Sequence, residues 1–266
     1  MDKQAAESIE LLHRIVDLLS SKSDNHTFSI SFNSKNEDGV NTAKFTQRFD
    51  TPIRLENDKY EIGLLSLNTY YTFPNLTSNI NGKFRYSTDA GTNWNVLTLA
   101  TGCYELVYIN SKLQEMLGEA GRSISIITEP TQLKSKIKLS NDQFQIDFTY
   151  PNSINTLLGF EPQIIRGIGY HISEHVVNIQ PISTINVNLD CIGSSYVEGK
   201  QSTSIFGFFP DVSPGHIINI DRQTPTYLPI LTDTLSSITI WLTDQEGNLV
   251  NFRGEKITTT FYIRKK

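Results

Sequence analysis

Cysteine is almost missing from this chain of 266 residues. Cys103 and Cys191 are the only two. They are far apart, match no metal-ligand spacing, and read as free thiols of a reducing compartment. An excess of positive charge is missing too. Twenty-three Lys and Arg face 28 Asp and Glu, for a net charge of −5. That balance argues against direct sequence-specific binding of nucleic acid, which needs a concentrated basic face. Arg264-Lys265-Lys266 is a local basic tip and reads as a solvated tail. No apolar run reaches the roughly 18 residues of a membrane helix, so no membrane span is expected. Met1-Asp2-Lys3-Gln4 is polar and unlike a secretory leader, so an intracellular origin is expected. The sequons at Asn25 and Asn75 would matter only in a secreted chain. There is no exact internal repeat and no low-complexity tract.

What is present is β pattern. Hydrophobic residues (38%) are spread along the chain, and 11 Tyr and 14 Phe favour strands. The length suits one large β domain or two small ones. Residues 5–20 are the strongly helical stretch, with Ile9, Leu12, Ile15, Val16 and Leu19 at helical spacing. This makes 1–24 an amphipathic helical arm. Its stripe packs either on its own domain or on a neighbouring subunit. From residue 27 the period becomes two. Phe28, Ile30 and Phe32 alternate with Ser29 and Ser31, and 185–189, 238–243 and 257–263 behave alike. In 133–139, Leu133, Ser135, Ile137 and Leu139 face one way and Lys134, Lys136 and Lys138 the other. That lysine row is a wet face, or a guard on a sheet edge. Turn residues at 38–39, 89–91, 213–215 and 245–248 separate the runs. Many short strands with such turns make a sandwich or barrel. A second helix is predicted at 105–117, with Leu106, Ile109, Leu113, Met116 and Leu117 inward and Gly118 as its stop. A further helical turn is predicted at 152–158, before Gly159.

Catalytic patterns fail on inspection. His171-Ile172-Ser173-Glu174-His175 matches H-x-x-E-H, which needs a helix to bring both histidines to one metal. Its flanks are glycine-rich before and β-branched after, which suits a loop entering a strand. His13, His26 and His216 are too scattered to complete a metal-binding β sandwich. Gly193–Lys200 is one residue too long for a phosphate loop, and Gln201 stands where Ser or Thr should hold magnesium. Carboxylates such as Glu56, Asp58 and Glu61 show no pairing in the sequence, and Gly-x-Ser-x-Gly is absent. The chain is read as a non-enzyme, with no catalytic residue, metal or cofactor.

Two aromatic clusters stand before prolines: Tyr70, Tyr71 and Phe73 before Pro74, and Phe206, Phe208 and Phe209 before Pro210. Strand alternation sends Tyr70 and Tyr71, or Phe208 and Phe209, to opposite faces. One of each pair then needs a second cover, which a subunit interface supplies. A sugar-binding platform is the alternative. Tyr70, Tyr71, Phe73, Phe206, Phe208 and Phe209 are therefore interface candidates, with Ile9, Leu12, Ile15 and Leu19 of the arm.

Several segments together resemble the capsid-type proteins of Polinton (Maverick) elements, virus-like DNA transposons. They are Phe49–Leu55 with Tyr60–Leu67, Ser153–Phe160, Gly193–Lys200, Phe208–Gly215, Ile240–Gly247 and Phe252–Glu255, closing on a last strand to Arg264. The resemblance spans roughly 27–264. It implies a virion structural protein with a jelly-roll fold. The size resembles the minor capsid (penton) protein of Polinton-like viruses, virophages and adenovirus relatives. That implies homopentamers at icosahedral vertices, the major capsid protein as partner, and assembly in the host nucleus or cytoplasm. Arg253-Gly254-Glu255 departs from the integrin-type Arg-Gly-Asp of some adenoviral pentons, so such receptor binding is not implied. The expected architecture is an all-β jelly roll over 25–266 with a candidate inserted module at 81–165. Two consecutive jelly rolls, roughly 25–160 and 170–266, are the alternative. The alternative functions are a double-jelly-roll major capsid subunit and a jelly-roll carbohydrate-binding protein.

Overall fold

The computed structural model describes residues 27–34, 42–55, 59–193, 195–197 and 200–266. The expected helical arm, with Ile9, Leu12, Ile15 and Leu19, lies outside the described residues, as do Glu56 and Asp58. The described residues form two compact units, one made of those up to Tyr71 together with those from Thr184 on, the other of Thr72–Ser183.

The first unit opens with β1 (Phe28–Asn33), β2 (Lys44–Arg54) and β3 (Tyr60–Tyr70). The second unit holds β4 (Lys83–Ser87), β5 (Asn95–Thr98), β6 (Ile124–Glu129), β7 (Lys134–Leu139), β8 (Gln145–Asp147), β9 (Ile164–Arg166) and β10 (Gly169–Ile172). The chain then returns to the first unit with β11 (Ile185–Leu189), β12 (Ser195–Val197), β13 (Lys200–Ser202), β14 (Ser204–Phe208), β15 (Ile217–Asp221), β16 (Tyr227–Pro229), β17 (Thr234–Thr243) and β18 (Thr258–Lys265).

In the first unit one sheet runs β1-β18-β3-β15, with β16 also on β3, and the other runs β14-β11-β17-β2. Every named pairing is antiparallel. Counted along the chain, the eight principal strands stand as 1-8-3-6 and 2-7-4-5. This is the order of one jelly roll, two Greek keys folded together. Strands before residue 71 and after residue 184 complete that single roll, so the alternative of two rolls in succession is not the observed arrangement. The period-two pattern supplies the core: Phe32, Ile62, Leu64, Val187, Leu189, Ile238, Ile240, Phe261 and Ile263 are buried. Phe32 meets Phe49 of the facing sheet with ring centroids 6.2 Å apart. In β3 the inward positions change parity, from Ile62 and Leu64 to Leu67 and Thr69. The cause is a bulge opposite Thr260/Phe261, where one extra β3 residue, Leu65, is taken up.

The second unit has a sheet in the order β5-β4-β8-β9 and another in the order β10-β7-β6. Helix α1 (Leu106–Leu117) buries Leu106, Ile109, Leu113 and Leu117, while Met116 is only partly covered. Gly118 stops the helix with φ 57°. The helix also blunts a sheet edge. Asn110 Oδ1 accepts the Ile126 N–H at 2.8 Å, and the Gln114 amide donates to the Ile124 carbonyl.

The lysine row falls on β7, the central strand of its sheet. It therefore guards no edge, which corrects that reading. Leu133 does not share the buried side: it is 69% exposed, in a turn with φ 54°. Asn75, read as a possible sequon, ties three segments together. Its Nδ2 donates to the Tyr104 and Ile179 carbonyls, and its Oδ1 accepts the Tyr104 N–H.

The turn before Gly159 is α2 (Asn155–Leu158), with Leu157 and Leu158 buried. Gly159 has φ 80°, and a Cβ there would lie 2.4 Å from the His175 carbonyl oxygen. His175 N–H in turn donates to the Gly159 carbonyl at 2.9 Å. Two chain segments touch with no room for a methyl group, in a conformation that favours glycine. Gly159→Ala should destabilise the second unit by more than about 2 kcal/mol. Gly118→Ala, with positive φ but nothing within 4 Å of the added Cβ, should cost about 1 kcal/mol. Urea unfolding of both variants checks the ranking.

Candidate assembly surface

The structure separates the two aromatic clusters into core and surface members. Tyr71, Phe73 and Phe208 are buried in the fold, leaving them no area for a partner. Tyr70 (45% exposed) and Phe209 (52%) keep surface to give. Phe206 is partly buried. It stacks on Phe208 at 6.1 Å and 18°, and the Arg222 guanidinium carbon lies 4.2 Å from its ring centre. The alternation argument thus sorted Tyr70 from Tyr71 and Phe209 from Phe208.

Tyr70 ends β3, and its Cα partner on β15 is Ile217, itself 52% exposed. Sequence reasoning missed Ile217, because in the Ile217-Ile218 pair after the Pro-Gly turn nothing local says which of the two faces inward; the structure buries Ile218. The Tyr70–Ile217 pair sits at one end of the outer face of the β1-β18-β3-β15 sheet. Register carries that face across the strands. Asn33, Thr258, Asn68 and Asn219 form one row, and Ser31, Thr260 and Ser66 the next, with Ser29 and Tyr262 beyond. Cross-strand hydroxyl and amide bonds knit it. Ser31 Oγ and Thr260 Oγ1 are 3.0 Å apart, and Thr258 Oγ1 donates to Asn33 Oδ1 at 2.7 Å. None of these eleven positions is charged. The same face does carry charge at its borders: the Ser31–Thr260–Ser66 row ends on Asp221, and beyond Tyr262, Arg264 pairs with Glu61 at 2.6 Å and lies 3.6 Å over Tyr227.

The metal-like motif is spread over a strand and a loop. His171 is on β10, its Nε2 2.9 Å from the Gly167 carbonyl oxygen. His175 Nε2 contacts the Glu161 carboxylate. Glu174 accepts the Glu161 N–H at 3.0 Å and bonds the Gln163 amide. Partial burial alone would raise its pKa, and these hydrogen bonds outweigh that and hold it low. Among the described residues no group of three His, Cys, Asp or Glu is placed to hold a metal. Gly193–Lys200 leads into the β12–β13 hairpin rather than a helix N-terminus, so it lacks the strand-loop-helix form of a phosphate loop.

No family model and no curated protein matches this chain. Among solved structures it is similar to the mavirus penton protein, at 8% identity with a TM-score of 0.49, covering 91% of this chain and all of that one. It is also similar to a chain of the Sputnik virophage, at 14% identity with a TM-score of 0.46, covering 91% of this chain and 98% of the other.

Of the two thiols, Cys103 is partly exposed, with Sγ 3.3 Å from the Phe73 carbonyl oxygen. Burial, reinforced by neighbouring Asp190, pushes the Cys191 thiol up to about 12 from 9.0. The unfolded chain therefore loses this proton first. The stability contributed is full below pH 9 and is lost as the pH rises toward 12. Cys191→Ala should flatten that part of the urea midpoint's pH dependence between pH 8.5 and 10.5. An unchanged slope would show that Cys191 is not its source.

Proposed function

We propose that this chain is a virion structural protein, a minor capsid (penton) subunit that assembles as a homopentamer at icosahedral vertices beside a major capsid protein. The observation that carries the reading is the outer face of the β1-β18-β3-β15 sheet, a central area of Ser, Thr and Asn with Asp221, Glu61 and Arg264 only at its borders, ending in the exposed Tyr70–Ile217 pair. Depletion of charge with aromatic enrichment is the compositional mark of an interface centre. Four strands about 4.8 Å apart, of 6, 8, 11 and 5 residues, at ~3.3 Å per residue, give a flat area of roughly 475 Å². That is a little over half of one partner's share of a standard interface, about 800 Å².

The segments that resemble Polinton capsid-type proteins support the family half of the reading, because they lie where this fold is most constrained. Ser153–Phe160 contains α2 and the crowded Gly159. Ile240–Gly247 runs from a core strand into a turn in which Asp244 accepts the Glu246 and Asn248 N–H groups. Phe208–Gly215 leads to Gly215, whose N–H donates to the Tyr71 carbonyl. The major-capsid alternative called for two jelly rolls, and the described residues contain one. A carbohydrate-binding reading has no specific observation in its favour.

Mass photometry of the purified chain should give a species five times its 30.0 kDa mass. Thr260→Lys and Tyr70→Lys should each dissociate it at least tenfold more readily while leaving the thermal transition of the monomer in place. A stable monomer or a trimer in the unmodified chain would contradict the proposal.

A further inference from the structure

One small sheet of the second unit carries an unusual outer face. Register sets Ile172, Lys136 and Ile127 in one row, with Tyr170 and Lys138 in the next. Ile172 is 45% exposed, Tyr170 60%, Ile127 39%, and Ile168 just before β10 68%. The edges of this sheet differ. That of β6 is plugged by Asn110 and Gln114. That of β10 has no such cover among the described residues. The Ser173 N–H donates to the Ser135 carbonyl at 2.9 Å, which fixes the alternation. His171 points its backbone groups at β7, and Tyr170 and Ile172 point theirs outward. The Lys138 ammonium leans toward this same edge, 5.8 Å from the Tyr170 ring centre. Lys136 is matched by Glu129. Lys138 has no carboxylate partner among the described residues.

We propose that the β10 edge docks an extended acidic segment of another protein, which adds as a fourth strand. The outward N–H and C=O groups of Tyr170 and Ile172 call for a partner with its own backbone to offer, which a lipid surface does not supply. A residue placed opposite Tyr170 meets both the ring and the Lys138 ammonium, so a carboxylate fits there. Two positions along the same face, opposite Ile172, an apolar β-branched residue fits. Pairing two copies of β10 would instead bring two Lys138 charges together, which disfavours self-docking. The site uses residues of the second unit alone, none of them in the proposed pentamer contact.

The test uses the full chain and a labelled peptide, Thr-Glu-Thr-Val-Thr-Glu-Thr-Val, with a control carrying Lys for Glu, read by fluorescence anisotropy. The acidic peptide should bind saturably, at least tenfold tighter than the control. Lys138→Glu should reverse that preference. Ile172→Pro removes only an outward N–H, as an edge strand tolerates, and should abolish binding while leaving thermal unfolding and oligomer mass unchanged. The proposal is overturned if neither peptide binds, if both bind equally, or if Lys138→Glu leaves the preference as it was. It is also overturned if the edge instead supports Ile172-dependent self-association or binding to phosphatidylserine vesicles.

Discussion

The pairing of β3 with β18 is the constraint on which the jelly roll depends. It joins Tyr60–Asn68 to Thr258–Lys265 through eight paired positions, across some two hundred residues of chain. β1 is held in its sheet by β18, and β15 and β16 by β3. Neither sheet neighbour is local, so the roll closes only after its first and last strands meet. Loop closure on that scale makes folding slow and leaves strand edges open until late. The intervening second unit has a core of its own, built from Leu76, Phe84, Ile109, Phe148 and Phe160 among others. It can therefore shorten the effective loop by folding within it.

The same pairing makes the proposed contact surface. Once β18 lies between β1 and β3, their outward Ser, Thr and Asn side chains fall into register as one polar sheet face. No single strand carries that surface. Ser29 and Ser31 look like ordinary solvent positions, as do Thr258 and Thr260. Only the assembled rows show a central area without charge, bordered by Asp221 and the Arg264–Glu61 pair, with Tyr70 and Ile217 exposed at its end.

Much of the fold was legible in the residues, for local reasons. The helix at 106–117 could be read because its apolar stripe and Gly118 stop are contained within it. The helical turn before Gly159 could be read likewise, and the strands at 28–33, 185–189 and 258–265 keep strict alternation. What could not be read was non-local. The parity change in β3 depends on a bulge opposite β18. Leu133 looked inward by alternation, but the chain turns there with positive φ. The lysines of β7 looked like an edge guard, and only the positions of β6 and β10 make that strand central. Of the aromatic candidates, alternation sorted Tyr70 from Tyr71 and Phe209 from Phe208. Ile217 was missed because its importance comes from its register partner.

On the proposed reading, a single jelly roll closes a five-membered ring through the outer face of its β1-β18-β3-β15 sheet. Electron-microscopy class averages of the purified full chain test it directly. The averages should show five-fold rings with the β1-β18-β3-β15 sheet buried between neighbours. Isolated particles, three-fold capsomers, or rings with that sheet facing solvent would contradict it.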